Sequence, residues 1–143
     1  MTVRILMALF GTVAFAVLFS VPHNLYLSCG LTGALGFGLY AVLTASGMTD
    51  ALATFFATLL VVLLARFLAV WRKAPATVFI VTGIFPLVPG AGVYWTAYYL
   101  VTGQLRNALY AGFDAIKVAV AIVLGMVILF EIPNRFFHIG QRR

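Results

Sequence analysis

Long apolar runs alternate with short polar stretches along the whole chain. Five of these runs have the length of a membrane-spanning helix, which needs about 17 to 25 mostly apolar residues. The pattern predicts an all-α integral membrane protein with spans at residues 5–21, 25–43, 51–71, 78–101 and 110–130. Because no polar domain separates the runs, residues 1–143 are predicted to form a single transmembrane domain.

The fourth run cannot be one continuous helix. Two prolines and two glycines lie between Pro86 and Gly92. A proline has no N–H to donate, and its ring clashes with the carbonyl group four residues earlier. We therefore expect a broken helix in which the carbonyl groups of Thr82 and Phe85 lose their usual partners. At that depth such groups must be satisfied by protein, water or a ligand.

A break of this kind predicts a binding site for a small charged solute. The free N–H groups of Gly90 to Val93 would attract an anion, and the freed carbonyl groups would attract a cation or an ammonium group. The two ends of the break together match an amino-acid zwitterion. The alternative interpretation is a proline kink that affects only helix packing. The candidate solute-binding residues are Thr82, Pro86, Pro89, Gly90, Gly92, Tyr94 and Thr96.

The fifth run contains an acidic and a basic residue, Asp114 and Lys117, whose spacing of three residues places them on one helical face. An ionisable residue inside a span marks a functional site by default. The pair is therefore a candidate for ion coupling or solute passage. The alternative is an ion pair that neutralises itself near the outer membrane interface.

Small residues recur every four positions in the second run and form two neighbouring stripes on a helix. Such stripes allow close approach of two membrane helices. They predict packing either inside this chain or against a partner, and the sequence favours neither. The first stripe contains Gly30, Ala34 and Gly38, and the second contains Ser28, Thr32 and Gly36.

Polar residues at the two ends of the third run have structural interpretations. Thr49 fits a helix cap, and Asp50 complements the positive end of the helix dipole. Near the other end, Arg66 is close enough to the interface to reach it by snorkelling. An arginine that binds the solute is the alternative for this position.

Composition supports the membrane assignment and excludes most other classes. The 143 residues are 64% hydrophobic and only 8% charged, with a net charge of +6, whereas soluble domains are about 25% charged. The basic residues are scattered between apolar runs and form no groove, so no nucleic-acid partner is predicted. Cys29 is the single cysteine, which excludes an internal disulfide. No catalytic set, metal-ligand spacing or phosphate loop is present, so we expect neither an enzyme nor a cofactor.

The basic residues also predict topology. With five spans, the positive-inside rule places the C-terminus in the cytoplasm, because one side then carries six basic residues and the other two. If the fourth run dips in and returns, the count is four against four and gives no orientation. The first group contains Arg66, Arg72, Lys73, Arg135, Arg142 and Arg143, and the second contains Arg4 and Arg106.

Several motifs resemble the threonine/serine exporter family, and more narrowly the small five-span subunit of its split, two-subunit form. The resemblance covers about residues 15 to 105. Its most specific part is the Pro-x-x-Pro-Gly motif at Pro86, Pro89 and Gly90, which Tyr94 follows. The other motifs are RKAPATVF at 72–79, FSVP at 19–22 and GALGFG at 33–38.

The resemblance implies a proton-driven exporter of threonine and serine in the cell's inner membrane. It also implies a partner, a larger membrane subunit with five spans of its own. Export of a small dicarboxylate such as succinate, known for some relatives, is one alternative. A scaffold that transports nothing and stabilises its partner is another, and assembly with further copies of this chain also stays open. No family motif matches Asp114 and Lys117 securely.

Overall fold

The computed structural model describes residues 2–131, and this part of the chain is helical without any strand. Short 3₁₀ turns at His23–Leu25 and Phe85–Leu87 precede the second helix and follow the fourth. The basic residues Arg135, Arg142 and Arg143, on which the topology prediction depends, lie outside the described residues. The helices are α1 (Thr2–Leu18), α2 (Tyr26–Ala45), α3 (Asp50–Arg72), α4 (Ala76–Ile84), α5 (Gly90–Val101) and α6 (Leu105–Phe130).

Within residues 2–131, three helical segments are long and apolar enough to cross a membrane, namely α2 with its preceding turn, α3 and α6. The α4 and α5 helices pass the same test only together, and they are bent by 47° at the interruption between them. Counting this pair as one span gives four. Helix α1 is apolar but shorter, with 17 residues.

Most helix ends differ from the predicted segments by one to five residues, and two of these differences concern α1 and α6. Helix α1 ends at Leu18 rather than Val21, because the chain turns at Ser20, whose φ of 54° lies in the left-handed region. The Val21 N–H then donates to the Ala16 carbonyl oxygen at 3.0 Å, which closes this end. Helix α6 begins at Leu105 rather than Tyr110 and is therefore the longest helix described.

Helix α2 packs against α1, α3 and α4, and its small residues permit these approaches. A Cβ atom added to Gly30 would lie only 2.8 Å from Cγ2 of Val13 in α1. On another face, a Cβ atom on Gly36 would overlap Val61 of α3. Both stripes of small residues therefore pack inside this chain, which decides between the two alternatives for the first stripe.

The buried core lies where α2, α3 and α4 meet. Phe79 of α4 is the largest fully buried side chain, and it shares the core with Val61, Val62 and Cys29. Arg66 of α3 is only 8% exposed. Its Nη2 donates to the carbonyl oxygen of Phe130 at 3.3 Å, so this arginine contacts the C-terminal end of α6, where a positive charge is favourable. It is buried between helices rather than extended along the surface.

The contact between α1 and α2 leads to a stability prediction. A Cβ atom at Gly33 would overlap Thr12, whose hydroxyl is held at 2.7 Å from the Ala8 carbonyl oxygen. Overpacking of this kind costs about 1–3 kcal/mol, so Gly33→Ala should lower the midpoint of thermal unfolding in detergent. Gly11→Ala is the matched control, because a Cβ there meets nothing within 4 Å. Equal midpoints for the two variants would contradict this packing.

Candidate functional site

The interruption between α4 and α5 is built by its two prolines. Helix α4 gives way to the 3₁₀ turn, Val88 is extended (φ −61°, ψ 133°), and Pro89 directly precedes α5. The Val88 N–H donates to the Phe85 carbonyl oxygen at 3.2 Å. This carbonyl group has thus lost its usual partner at residue 89, as predicted, and the tighter turn supplies a donor from the protein in its place.

The first turn of α5 presents free backbone donors at the break. The first i→i−4 bond of this helix runs from the Val93 N–H to the Pro89 carbonyl oxygen at 3.1 Å. The N–H groups of Ala91 and Gly92 precede it and have no acceptor within the helix. Proline has no side-chain acceptor, and Pro89 occupies the cap position. This end of α5 is therefore an electropositive terminus.

A cavity of about 270 Å³ lies against this terminus. Four parts of the chain line it: the second half of α2, the first two turns of α3, the interruption with the start of α5, and the middle of α6. Its walls thus combine backbone donors with carboxylate and hydroxyl groups. The lining residues are Phe37, Tyr40, Asp50, Thr54, Pro86, Leu87, Val88, Pro89, Gly90, Ala91, Gly92, Asp114, Ala115 and Val118.

The cavity brings together five of the nine residues that the sequence analysis selected. Pro86, Pro89, Gly90 and Gly92 supply one wall, and Asp114 reaches it from α6. Gly92 also allows α5 to pack tightly on α6, because a Cβ there would lie 3.0 Å from Cβ of Ala115. Gly92 therefore permits the close packing of α5 on α6 and also lines the cavity beside these helices.

The other four selected residues lie outside the cavity walls. Thr82 is buried in α4 and donates to the Val78 carbonyl oxygen at 2.8 Å, so its hydroxyl group is already engaged. The Thr96 hydroxyl donates in the same way within α5, to Gly92 at 2.7 Å. Tyr94 is 61% exposed. Lys117 lines a separate apolar groove beside α3.

Lys117 is nevertheless connected to the cavity through Asp114. Its ammonium nitrogen lies 2.5 Å from Asp114 Oδ1, and the side chains of Lys117 and Asp114 are 51% and 70% exposed. The ion pair predicted from the spacing is thus formed, with its acidic member at the cavity wall and its basic member outside.

Three polar residues of the cavity are not among the candidates that the sequence pattern indicates: Tyr40, Asp50 and Thr54. The Tyr40 hydroxyl donates to Asp50 Oδ1 at 3.1 Å, across the turn between α2 and α3. Thr49 does occupy the cap position of α3, but its side chain makes no capping hydrogen bond. Asp50 was interpreted only as the start of a helix, and no local pattern relates it to a tyrosine ten residues earlier.

The charges around the cavity are unbalanced. Asp50 and Asp114 line it, whereas its described walls contain no Lys, Arg or His side chain. Arg66, the alternative solute-binding arginine, lies at the other end of α3. Among residues 2–131, no group of three His, Cys, Asp or Glu side chains is placed to hold a metal ion. The positive charge that the described walls offer to a solute is therefore the partial charge of backbone N–H groups.

Comparison with known proteins identifies the class of this molecule. No solved structure matches the chain. The family model described as "Threonine/Serine exporter, ThrE" matches residues 4–132, which include every residue of the cavity wall. Because the match extends over most of the sequence, the chain belongs to the threonine/serine exporter family and is a multi-pass membrane protein of the transporter class.

Proposed function

We propose that this chain is one half of a secondary exporter of threonine and serine, and that the cavity at the helix break is its solute site. Family membership supports the transport class and the kind of solute. The location rests on one observation: the free end of α5 and two carboxylates meet in a single cavity. An amino-acid zwitterion carries a carboxylate, which suits the free end of α5, and an ammonium group, which suits the two carboxylates.

The charges of the cavity argue against the dicarboxylate alternative. Succinate would bring two negative charges to walls that carry Asp50 and Asp114 and, among the described residues, no basic side chain. Like charges repel each other, so this cavity disfavours a dianion. The scaffold alternative loses its main support as well, because α1 of this same chain covers Gly30.

We propose five spans, with α1 as the first and the bent pair of α4 and α5 as the fourth. A helix of 17 residues has a length of roughly 26 Å, somewhat less than the hydrocarbon core of about 30 Å. Residues beyond its ends and local thinning of the bilayer cover such a difference at modest cost. With five spans in the inner membrane, the positive-inside rule places the C-terminus in the cytoplasm.

We also propose that a second membrane subunit with five spans completes the transporter. Helix α5 supports this, because none of its residues is buried and it packs mainly on α6. Its outer face carries aromatic side chains that stack or meet edge to face, including Trp95 and Tyr99 with ring centroids 5.8 Å apart. Assembly with a second copy of this chain is the competing arrangement.

Asp114 is the proposed coupling group of the transporter. It lines the cavity and is the acidic member of the pair with Lys117, so a proton that arrives there would release the lysine from its partner. Residues that change charge beside a solute site link ion and solute movement in many transporters.

Uptake into inverted membrane vesicles tests the proposed function. Vesicles containing this chain, its neighbouring membrane subunit, or both are supplied with radiolabelled threonine, serine or succinate, with and without a proton gradient. We expect gradient-dependent uptake of threonine and serine only with both chains present. Uptake of succinate alone, or no uptake despite verified assembly, would overturn the proposal.

A further inference from the structure

Thr54 is an exception among the buried threonines of this protein. It is 1% exposed, yet its hydroxyl group makes no hydrogen bond to any described residue. The buried threonines Thr12, Thr32, Thr58 and Thr82 each donate to the carbonyl group four residues earlier, at 2.7–2.8 Å. No fully buried side-chain polar atom among residues 2–131 lacks a hydrogen-bond partner, so the Thr54 hydroxyl, which has none, is reached from open space beside it. Thr54 lines the cavity, so a bound molecule there can supply the missing partner.

Asp50 lies one helical turn before Thr54 and lines the same cavity. Residues four apart on a helix are neighbours on one face. The Tyr40 hydroxyl holds Oδ1 of this carboxylate, and among residues 2–131 Oδ2 accepts no hydrogen bond from the protein. A carboxylate oxygen and a hydroxyl oxygen on adjacent turns thus face one space, and both can accept hydrogen bonds.

We infer that Asp50 and Thr54 form the subsite for the ammonium group of the transported amino acid, with Tyr40 as the residue that positions the carboxylate. The inference rests on the proposed function and adds the residues that select for an amino group. An ammonium group has three N–H donors and no acceptor, which matches two acceptors on one helix face. The solute carboxylate then lies toward the free N–H groups of Ala91 and Gly92, which line the same cavity.

The subsite makes the amino group the feature that the transporter recognises. A molecule of the same size without that group leaves Oδ2 of Asp50 and the Thr54 hydroxyl without the hydrogen bonds that the ammonium group makes. A site built to hydrogen-bond an N–H group of its substrate rejects the analogue that lacks it. The appropriate probe is therefore 3-hydroxybutyrate, which is threonine without its amino group.

The test compares single variants of the full chain, assembled with its neighbouring subunit in inverted vesicles. Asp50→Asn should raise the KM for threonine by about ten- to hundredfold, the effect of weakening a charged hydrogen bond. Thr54→Val keeps the shape of the side chain and should raise the KM by about three- to tenfold. In both variants 3-hydroxybutyrate should compete with threonine relatively better than in the native protein.

Two matched controls separate recognition from folding. Thr58→Val removes a buried hydroxyl one turn further along α3 that donates to the Thr54 carbonyl oxygen at 2.8 Å and does not line the cavity. Glu131→Gln removes the remaining acidic charge of the chain, outside the cavity. Neither should change the KM or the competition by 3-hydroxybutyrate. Thr54→Val should also leave the unfolding midpoint unchanged, because its hydroxyl makes no hydrogen bond within the protein, whereas Thr58→Val should lower it.

The outcomes distinguish this inference from the proposed function. Native transport of threonine with unchanged KM and competition in Asp50→Asn and Thr54→Val would overturn the subsite and leave the exporter intact. A native protein that moves neither threonine nor serine would overturn both. If Asp50→Asn does not assemble, Thr54→Val decides the question alone.

Discussion

Restoring a continuous helix across the break should reduce transport to background. The double substitution Pro89→Ala with Gly90→Leu gives residue 89 an N–H that can donate to the Phe85 carbonyl oxygen, and it replaces glycine by a strong helix former. Helix α4 would then extend toward α5, the free donors of Ala91 and Gly92 would acquire acceptors, and the leucine would occupy part of the cavity. We expect gradient-driven threonine uptake to fall by at least about tenfold.

The local structure indicates that this variant can still assemble. A Cβ atom at Gly90 meets nothing within 4 Å, so a side chain can begin there without overlapping its neighbours. Gly11→Leu is the matched control, since that position is equally open and lies in α1, away from the cavity. Uptake and the size-exclusion profile in detergent should be measured for both variants. Native uptake in the double variant would refute the role of the break.

Replacing Asp114 by Asn should uncouple the transporter from the proton gradient. The asparagine keeps the size of the side chain but cannot take up a proton at this wall of the cavity, and it leaves Lys117 without its anionic partner. We expect accumulation of threonine against a gradient to be lost, while exchange of labelled for unlabelled threonine continues at a similar rate. Loss of driven accumulation with retention of exchange is what the removal of a coupling group predicts.

The measurement compares driven uptake with exchange in the same vesicles. Lys117→Gln tests whether the ion pair itself is the requirement, because it breaks the pair and preserves the carboxylate. Glu131→Gln serves as the charge-matched control outside the cavity. Driven uptake by Asp114→Asn at the native level would show that this carboxylate is not the coupling group.

Local sequence patterns predicted the parts of the fold that depend on backbone chemistry. The apolar runs indicated helices because long apolar segments favour helical structure in a membrane. The interruption of the fourth run followed from the missing N–H groups of Pro86 and Pro89, and its position agrees with the start of α5 at Gly90. The ion pair of Asp114 and Lys117 followed from the spacing of residues on a helix.

The placement of individual side chains needs the tertiary structure, because a spacing does not say which way a helix faces. Thr82 is a candidate for its carbonyl group and Thr96 for its hydroxyl group, and both hydroxyl groups donate to their own helix. Tyr94 is a candidate by its position after the motif, and it is not among the residues that line the cavity. Whether the stripe around Gly30 faces α1 or a partner also needed the packing of the helices.

The apolar composition and the two prolines of the fourth run are enough to predict a bundle of apolar helices with one interrupted segment. Both features act through the backbone of neighbouring residues, so no tertiary contact is needed to predict their effect. Only the tertiary structure joined Tyr40, Asp50 and Thr54 to the break more than thirty residues later. That association depends on how α2 and α3 pack beside α4, α5 and α6, through contacts between glycines and bulky side chains on neighbouring helices. The acidic residues of the cavity are therefore brought together by helix packing, whereas the free backbone donors that share the cavity follow from local sequence.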